Sequence, residues 1–240
     1  MHNMQLARQE FHRPRNPDDQ VVPGVPFGRP EWVPSPAYWM ALAEQEGDEA
    51  DAYISPPGTP LSHDVAFCVL GGYGIKMELN RAAFRHLEKH GIFRKNFDAD
   101  PEAIERLLRQ PLLVEGRKVR YRFPRQRAFR LAEALRQIRE ISESTIDAAQ
   151  LRDFLMSIPG IGPKTASWIV RNWCGSNDVA ILDVHVMRAG KLIGLFPQDA
   201  RLPRDYSALE KRFLAFAEAL NVPASVLDAI IWREMRALTR

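Results

Sequence analysis

Ile158-Pro159-Gly160-Ile161-Gly162-Pro163-Lys164-Thr165-Ala166, with Asp183 nineteen residues beyond Lys164 inside Leu182-Asp183-Val184-His185, is the stretch that decides the fold. Gly160 and Gly162 can take positive φ and put no Cβ between the backbone and a ligand. Pro163 suits the first position of a following helix, where its missing N–H does no harm. The free N–H groups of that helix start, including Thr165, face outward with the positive end of the helix dipole behind them, which fits a phosphate. Ile158 and Ile161 anchor the turn in apolar surroundings. Before the turn, Asp147 and Gln150 have capping-box spacing, and Leu151, Phe154 and Leu155 share a face, which predicts a helix over about 147–157. After it, the pattern predicts a helix from about Pro163 to Trp173, stopped near Gly175. An αα-hairpin without a ligand fits the same residues.

Lys164 and Asp183 have ordinary readings as well, a solvated lysine and an N-cap before Val184, Val186, Met187 and Leu192. Taken together after this turn, they resemble the helix-hairpin-helix DNA glycosylase/AP lyase superfamily, whose signature is the hairpin, a loop and an aspartate. The resemblance implies that Lys164 is the nucleophile of a bifunctional enzyme and that Asp183 is its catalytic carboxylate. It further implies a structural monovalent cation held by backbone carbonyls at the turn, and no catalytic metal.

Two other stretches narrow the resemblance. Gly116-Arg117-Lys118-Val119-Arg120-Tyr121-Arg122-Phe123-Pro124-Arg125-Gln126-Arg127-Ala128 is similar to the Tyr-Arg-Phe-Pro segment of the type-2 8-oxoguanine DNA glycosylases. Val179-Ala180-Ile181-Leu182-Asp183, and the region from Tyr206 to Trp232 with Asn221-Val222-Pro223, Leu227-Asp228 and Ile231-Trp232, are similar to their aspartate loop and last two helices. The likeness runs from about Leu61 to Trp232. The chain departs from it after Trp232: the family's Thr-Gly pair is missing, and the last residue is Arg240 rather than lysine. Trp232, Phe123 and Arg240 are candidates for the base pocket, and His185 for contact with the flipped nucleotide. Tyr73, in its glycine-rich loop, is a candidate for filling the gap in the duplex.

Arg117, Lys118, Arg120, Arg122, Arg125, Arg127 and Arg130 fall within fourteen residues, interleaved with Tyr121, Phe123 and Phe129. Cations hold phosphates and aromatic rings stack on bases, so Arg122, Arg125 and Arg127 join Gly160, Gly162, Pro163 and Thr165 as candidate DNA contacts. The net charge of the 240 residues is only +3, so binding to nucleic acid must come from such local patches. With two cysteines, Cys68 and Cys174, the chain has neither a disulfide framework nor the four ligands of an iron–sulfur cluster. No secretory or membrane-spanning run occurs, which makes the cytoplasm the expected location, at the nucleoid in a bacterium.

The chain reads as all-α because no stretch sustains period-two alternation; the expected arrangement is two helical lobes with the active site in the cleft between them. Residues 61–240 form the expected glycosylase core, with the hairpin and aspartate loop over 147–190 and the last helices over 205–240. Residues 1–60 hold ten of the eighteen prolines and read as an extended arm, draped over the core through Val21, Phe27, Trp32 and Tyr38, with one short helix over about 36–45. The expected activity is excision of an oxidised purine, 8-oxoguanine on the resemblance, from double-stranded DNA by a monomer. The base is flipped into a pocket, Asp183 stabilises positive charge at the anomeric carbon, and Lys164 attacks as a neutral amine to give a Schiff base and β-elimination. Two alternatives stay open: a glycosylase for another modified base, and a helix-hairpin-helix protein that only grips DNA.

Overall fold

Apolar residues at helical spacing, broken by Gly and Pro, build a chain of helices joined by short loops. The computed structural model describes residues 16–46, 54–72, 74–94 and 99–238. Within them a short ribbon, β1 (Gln20–Val22) and β2 (Val25–Pro26), leads to α1 (Pro36–Glu46). Then come α2 (Leu61–Leu70), α3 (Met77–Lys89), α4 (Pro101–Arg109), a second ribbon of β3 (Leu112–Val114) and β4 (Arg117–Val119), and α5 (Pro124–Gln137). The hairpin follows as α6 (Ala148–Ser157) and α7 (Pro163–Cys174), and α8 (Val184–Leu192), α9 (Tyr206–Leu220) and α10 (Ala224–Leu238) complete the order. The mostly helical reading holds. The two antiparallel ribbons escaped it because two or three residues per strand are too few to show alternation.

Two separate apolar cores organise these elements. One joins α2 to α7 around Leu61, Leu70, Leu87, Ile104, Leu131, Leu151 and Ile169. The other joins α8 to α10 around Leu182, Phe196, Phe213, Phe216, Leu227 and Ile231. The second core also contains Val25, Phe27, Ala37 and Trp39, all from the proline-rich segment. Residues 16–46 are therefore a component of the second lobe rather than an arm laid over a finished core, whereas Ser55 and Thr59 bond to α2 and α7 of the first. Val21 and Tyr38 pack against that core as expected, but Trp32 stays 52% exposed and anchors nothing. Proline frequency misled the reading because it reports the backbone, whereas burial here is set by single large side chains between the prolines.

Local signals place the helix ends well. Asp147 accepts the Gln150 N–H at 2.8 Å, and the Gln150 side chain reaches back to the Asp147 N–H at 3.4 Å, the expected capping box. Asp100 caps α4 through Glu102 and Ala103. Gly175 ends α7 with φ of 63°. The C-terminal carbonyls of α2 are taken by side chains: Asn80 Nδ2 donates to Phe67 at 3.0 Å, Arg127 to Val69 at 2.8 Å, and the Tyr121 hydroxyl to Leu70. Among the described residues no single helix is long and apolar enough to cross a membrane.

Candidate active site

The hairpin turn is closed by the Ile161 N–H on the Ile158 carbonyl at 3.0 Å, with both isoleucines buried. Gly160 needs its positive φ of 91°; Gly162, with φ of −95°, does not. A Cβ on Gly162 would meet nothing within 4 Å, so the start of α7 stands open to a ligand. A Cβ on Gly160 would lie 2.7 Å from the Arg130 side chain, which therefore lies across the turn. The arginine-rich stretch and the hairpin are thus neighbours in space, as a shared DNA surface requires.

That stretch divides into two sides. Arg127 is turned inward onto the Val69 carbonyl of α2 beside the buried Tyr121, where burial lowers its guanidinium pKa. It holds the fold together instead of facing DNA. Arg122, Phe123, Arg125 and Phe129 point outward. Phe123, Pro124, Arg125, Gln126, Phe129 and Arg130 line an open groove with Arg109. Phe123 adopts φ of 64° at the entry to α5, with the Arg122 guanidinium 4.8 Å over its ring. It lies in this groove and not in the cavity where Lys164 is found.

The cavity, of about 90 Å³, lies between the two cores. Lys164 and Asp183 both line it, together with Phe67, Met77, Trp168, Arg171, Asn172, Asp228 and Trp232. Lys164, Trp168, Arg171 and Asn172 share one face of α7, four, seven and eight positions along from the lysine. That spacing was the signal for the three residues the sequence reading passed over. Lys164 is half-buried, and its Nζ sits 5.5 Å from the centre of the Trp168 ring. The Trp168 ring is held edge-on by Phe67 and abuts Gly71, where an added Cβ would come within 3.1 Å of it. Trp232, from α10, forms another part of the wall, with the Arg236 guanidinium 5.1 Å from its ring.

Asp183 is the N-cap of α8: its Oδ1 accepts the N–H groups of His185 at 2.8 Å and Val186 at 3.0 Å. The capping and catalytic readings are thus compatible, since one oxygen is fixed by the helix while the side chain lines the cavity. His185 follows in the first turn of α8, half-buried but outside the cavity wall. Beneath Asp183, Asp228 is 2% exposed and accepts the Ile181 N–H at 3.0 Å, with the Arg171 guanidinium 3.7 Å away. Burial pushes the Asp228 carboxyl up to about 6, the Arg171 charge and the Ile181 N–H opposing and nearby Asp183 adding to the rise. Arg240 and Tyr73 lie outside the described residues. Among the described residues no cluster of three or more His, Cys, Asp or Glu could hold a metal ion.

An amine and a carboxylate on one cavity wall, beside aromatic rings and a phosphate-accepting turn, agree with a family model for 8-oxoguanine DNA glycosylase that matches residues 59–222. The chain belongs to this family. The 8-oxoguanine DNA glycosylase/AP lyase of Thermotoga maritima is 30% identical over 204 residues, spanning 78% of this chain and 81% of that protein. The protein of the same name from Metallosphaera sedula is 33% identical over 120 residues, 47% of this chain and 57% of its own length. The crystal structure of the Thermotoga maritima 8-oxoguanine DNA glycosylase superposes with a TM-score of 0.64 at 26% identity, covering 82% of this chain and 93% of that one. The Methanocaldococcus jannaschii 8-oxoguanine glycosylase/lyase, in complex with a 15-mer DNA containing 8-oxoguanine, gives a TM-score of 0.56 at 25% identity, covering 82% and 90%.

Proposed function

We propose that this protein is a bifunctional DNA glycosylase/AP lyase that removes 8-oxoguanine from double-stranded DNA. The observation that carries the reading is the presence of Lys164 and Asp183 on the wall of one cavity that Trp168 and Trp232 also line. The hairpin turn and the outward arginines hold the backbone, and the damaged nucleotide leaves the stack to enter the cavity. Trp168 and Trp232 stack on the base. In stacking on Trp168 the base competes with the Lys164 ammonium for the ring, which releases the amine toward the sugar. As the base–sugar bond breaks, positive charge grows at C1′ and the Asp183 carboxylate stabilises it. The departing base takes a proton from Lys164, the neutral Nζ bonds to C1′ as the base leaves, the C1′–O4′ bond opens to a Schiff base, and loss of the C2′ proton expels the 3′ phosphate. These steps need no redox group and no metal-bound water. A monovalent cation held by backbone carbonyls of the hairpin would brace the phosphate.

Borohydride reduction tests the assignment. Wild-type protein with DNA containing 8-oxoguanine, or a preformed abasic site, should give a covalent adduct; Lys164→Gln should give none. Asp183→Asn should still bind the DNA but excise at least about a hundredfold more slowly, the scale on which one preorganised electrostatic group acts. Trapping by Lys164→Gln at the wild-type level would remove the lysine from its role.

A further inference from the structure

The loop that carries Asp183 has no regular structure, yet the backbone donors of Ala180, Ile181, Leu182 and Asp183 are all engaged. The Ala180 N–H donates to Glu210 Oε1 at 3.0 Å, the Leu182 N–H to the Tyr206 hydroxyl at 3.4 Å, and the Asp183 N–H to the Ile181 carbonyl at 3.0 Å. The Tyr206 hydroxyl donates in turn to the Ala180 carbonyl at 2.6 Å. With Asp228 on the Ile181 N–H, helices α9 and α10 hold the loop as a sheet partner would.

Glu210 reaches beyond the loop. Its Oε1 also accepts the Ser167 hydroxyl at 3.1 Å, and Ser167 stands three residues after Lys164 on α7. Its Oε2 pairs with Arg152 on α6, the first helix of the hairpin. One carboxylate, 4% exposed, therefore joins the helix of the nucleophile, the loop of the catalytic carboxylate and the hairpin. A buried ion pair adds little stability over apolar residues of the same volume, so stability alone is a weak reason for a glutamate there. What this carboxylate supplies is a fixed distance between elements that belong to different cores. We propose that Glu210 is a positioning residue that sets the placement of Asp183 relative to Lys164. The inference rests on the glycosylase/lyase reading, in which those two groups act on one sugar carbon and small misplacements are costly.

Three variants test it: Glu210→Gln, Glu210→Met and Ser167→Ala. Each is measured for thermal melting, for affinity to a duplex with a tetrahydrofuran abasic analogue, and for single-turnover release of 8-oxoguanine. Glu210→Gln keeps an oxygen for Ala180 and Ser167 and should excise within about fivefold of wild type. Glu210→Met should melt cooperatively, bind the analogue within about threefold, and excise roughly 30- to 100-fold more slowly. Ser167→Ala cuts only the tie to α7 and should slow excision about fivefold to tenfold at unchanged affinity. Wild-type rates in Glu210→Met, rate losses matched by equal losses of affinity, or a Gln variant no better than Met each overturn the proposal. If Glu210→Met does not fold, Ser167→Ala decides: a wild-type rate there overturns it. If the wild-type protein releases no base, it is the underlying reading that fails.

Discussion

Trp168 and Arg127 show how one side chain decides what a stretch of sequence is for. Trp168 is four positions beyond Lys164, so the helix that aims the amine also aims an indole into the same cavity. Stacking of a base on an aromatic side chain contributes about 1–3 kcal/mol. Trp168→Ala should therefore slow 8-oxoguanine release by roughly tenfold to a hundredfold. Strand cleavage at a preformed abasic site, where no base is stacked, should stay near wild type; equal losses on both substrates would refute the stacking role. Arg125 and Arg127 are two residues apart in one basic run, yet Arg125 is exposed and Arg127 closes the end of α2 through the Val69 carbonyl. Arg125→Ala should weaken DNA binding and reduce the slope of log K against log salt by about one unit. Arg127→Ala should leave that slope unchanged and lower stability by about 1–3 kcal/mol, the cost of leaving the Val69 carbonyl without its donor, seen as a lower melting temperature. The sequence displayed the basic run but not this division, because which arginine turns inward depends on where the end of α2 falls, a contact 58 residues away.

Element boundaries were legible wherever a local device fixes them. The Asp147–Gln150 capping box, the Asp100 cap, Pro163 at the start of α7 and Gly175 at its end all sit where the residue pattern puts them, since each works through its near neighbours. The hairpin is the clearest case: its two helices and its turn are specified within 28 residues, and the ligand-facing start of α7 follows from them. The short ribbons and the contacts that hold the aspartate loop were not legible, because these hydrogen bonds come from distant side chains or from strands too short to show a period. This difference can be measured. Asp147→Ala removes one local cap and should cost about 1 kcal/mol in denaturant unfolding. Because α6 carries no cavity-lining residue, single-turnover excision by the folded variant should match wild type. A large rate loss without a stability loss would mean that α6 does more than support the turn.

At the scale of the whole molecule, two cores meet at a cavity, and ion pairs help to join them. Arg236 of α10 pairs with Glu78 of α3 at 2.6 Å, Arg171 lies beside Asp228, and Glu210 ties α9 to α6 and α7. The sequence announced the glycosylase core but not that the proline-rich segment builds the second lobe, since Val25, Phe27 and Trp39 find their partners more than 140 residues away. Burying carboxylates has a consequence for pH. Asp64, 4% exposed on α2, is pushed up to about 6 by burial, partly opposed by the Ser55 hydroxyl at 2.8 Å. Asp228 is raised to a similar value. An unfolded aspartate titrates near 3.9, so the folded chain holds these protons where the unfolded chain has released them. Both groups therefore favour the folded state most below about pH 4, and their contribution is lost as pH rises to about 6 and beyond. For Asp64 a rise of about two units corresponds to no more than about 3 kcal/mol. Other groups titrate across the same window; His86, lowered by burial and by His90, works in the opposite direction. The difference between wild type and Asp64→Asn isolates the one carboxyl. Urea unfolding at intervals from pH 4 to 8 should show the variant gaining on wild type between about pH 4 and 6 and running parallel above that. Parallel curves throughout would mean that Asp64 ionises in the folded protein as freely as in the unfolded chain, and that water reaches the buried carboxyl.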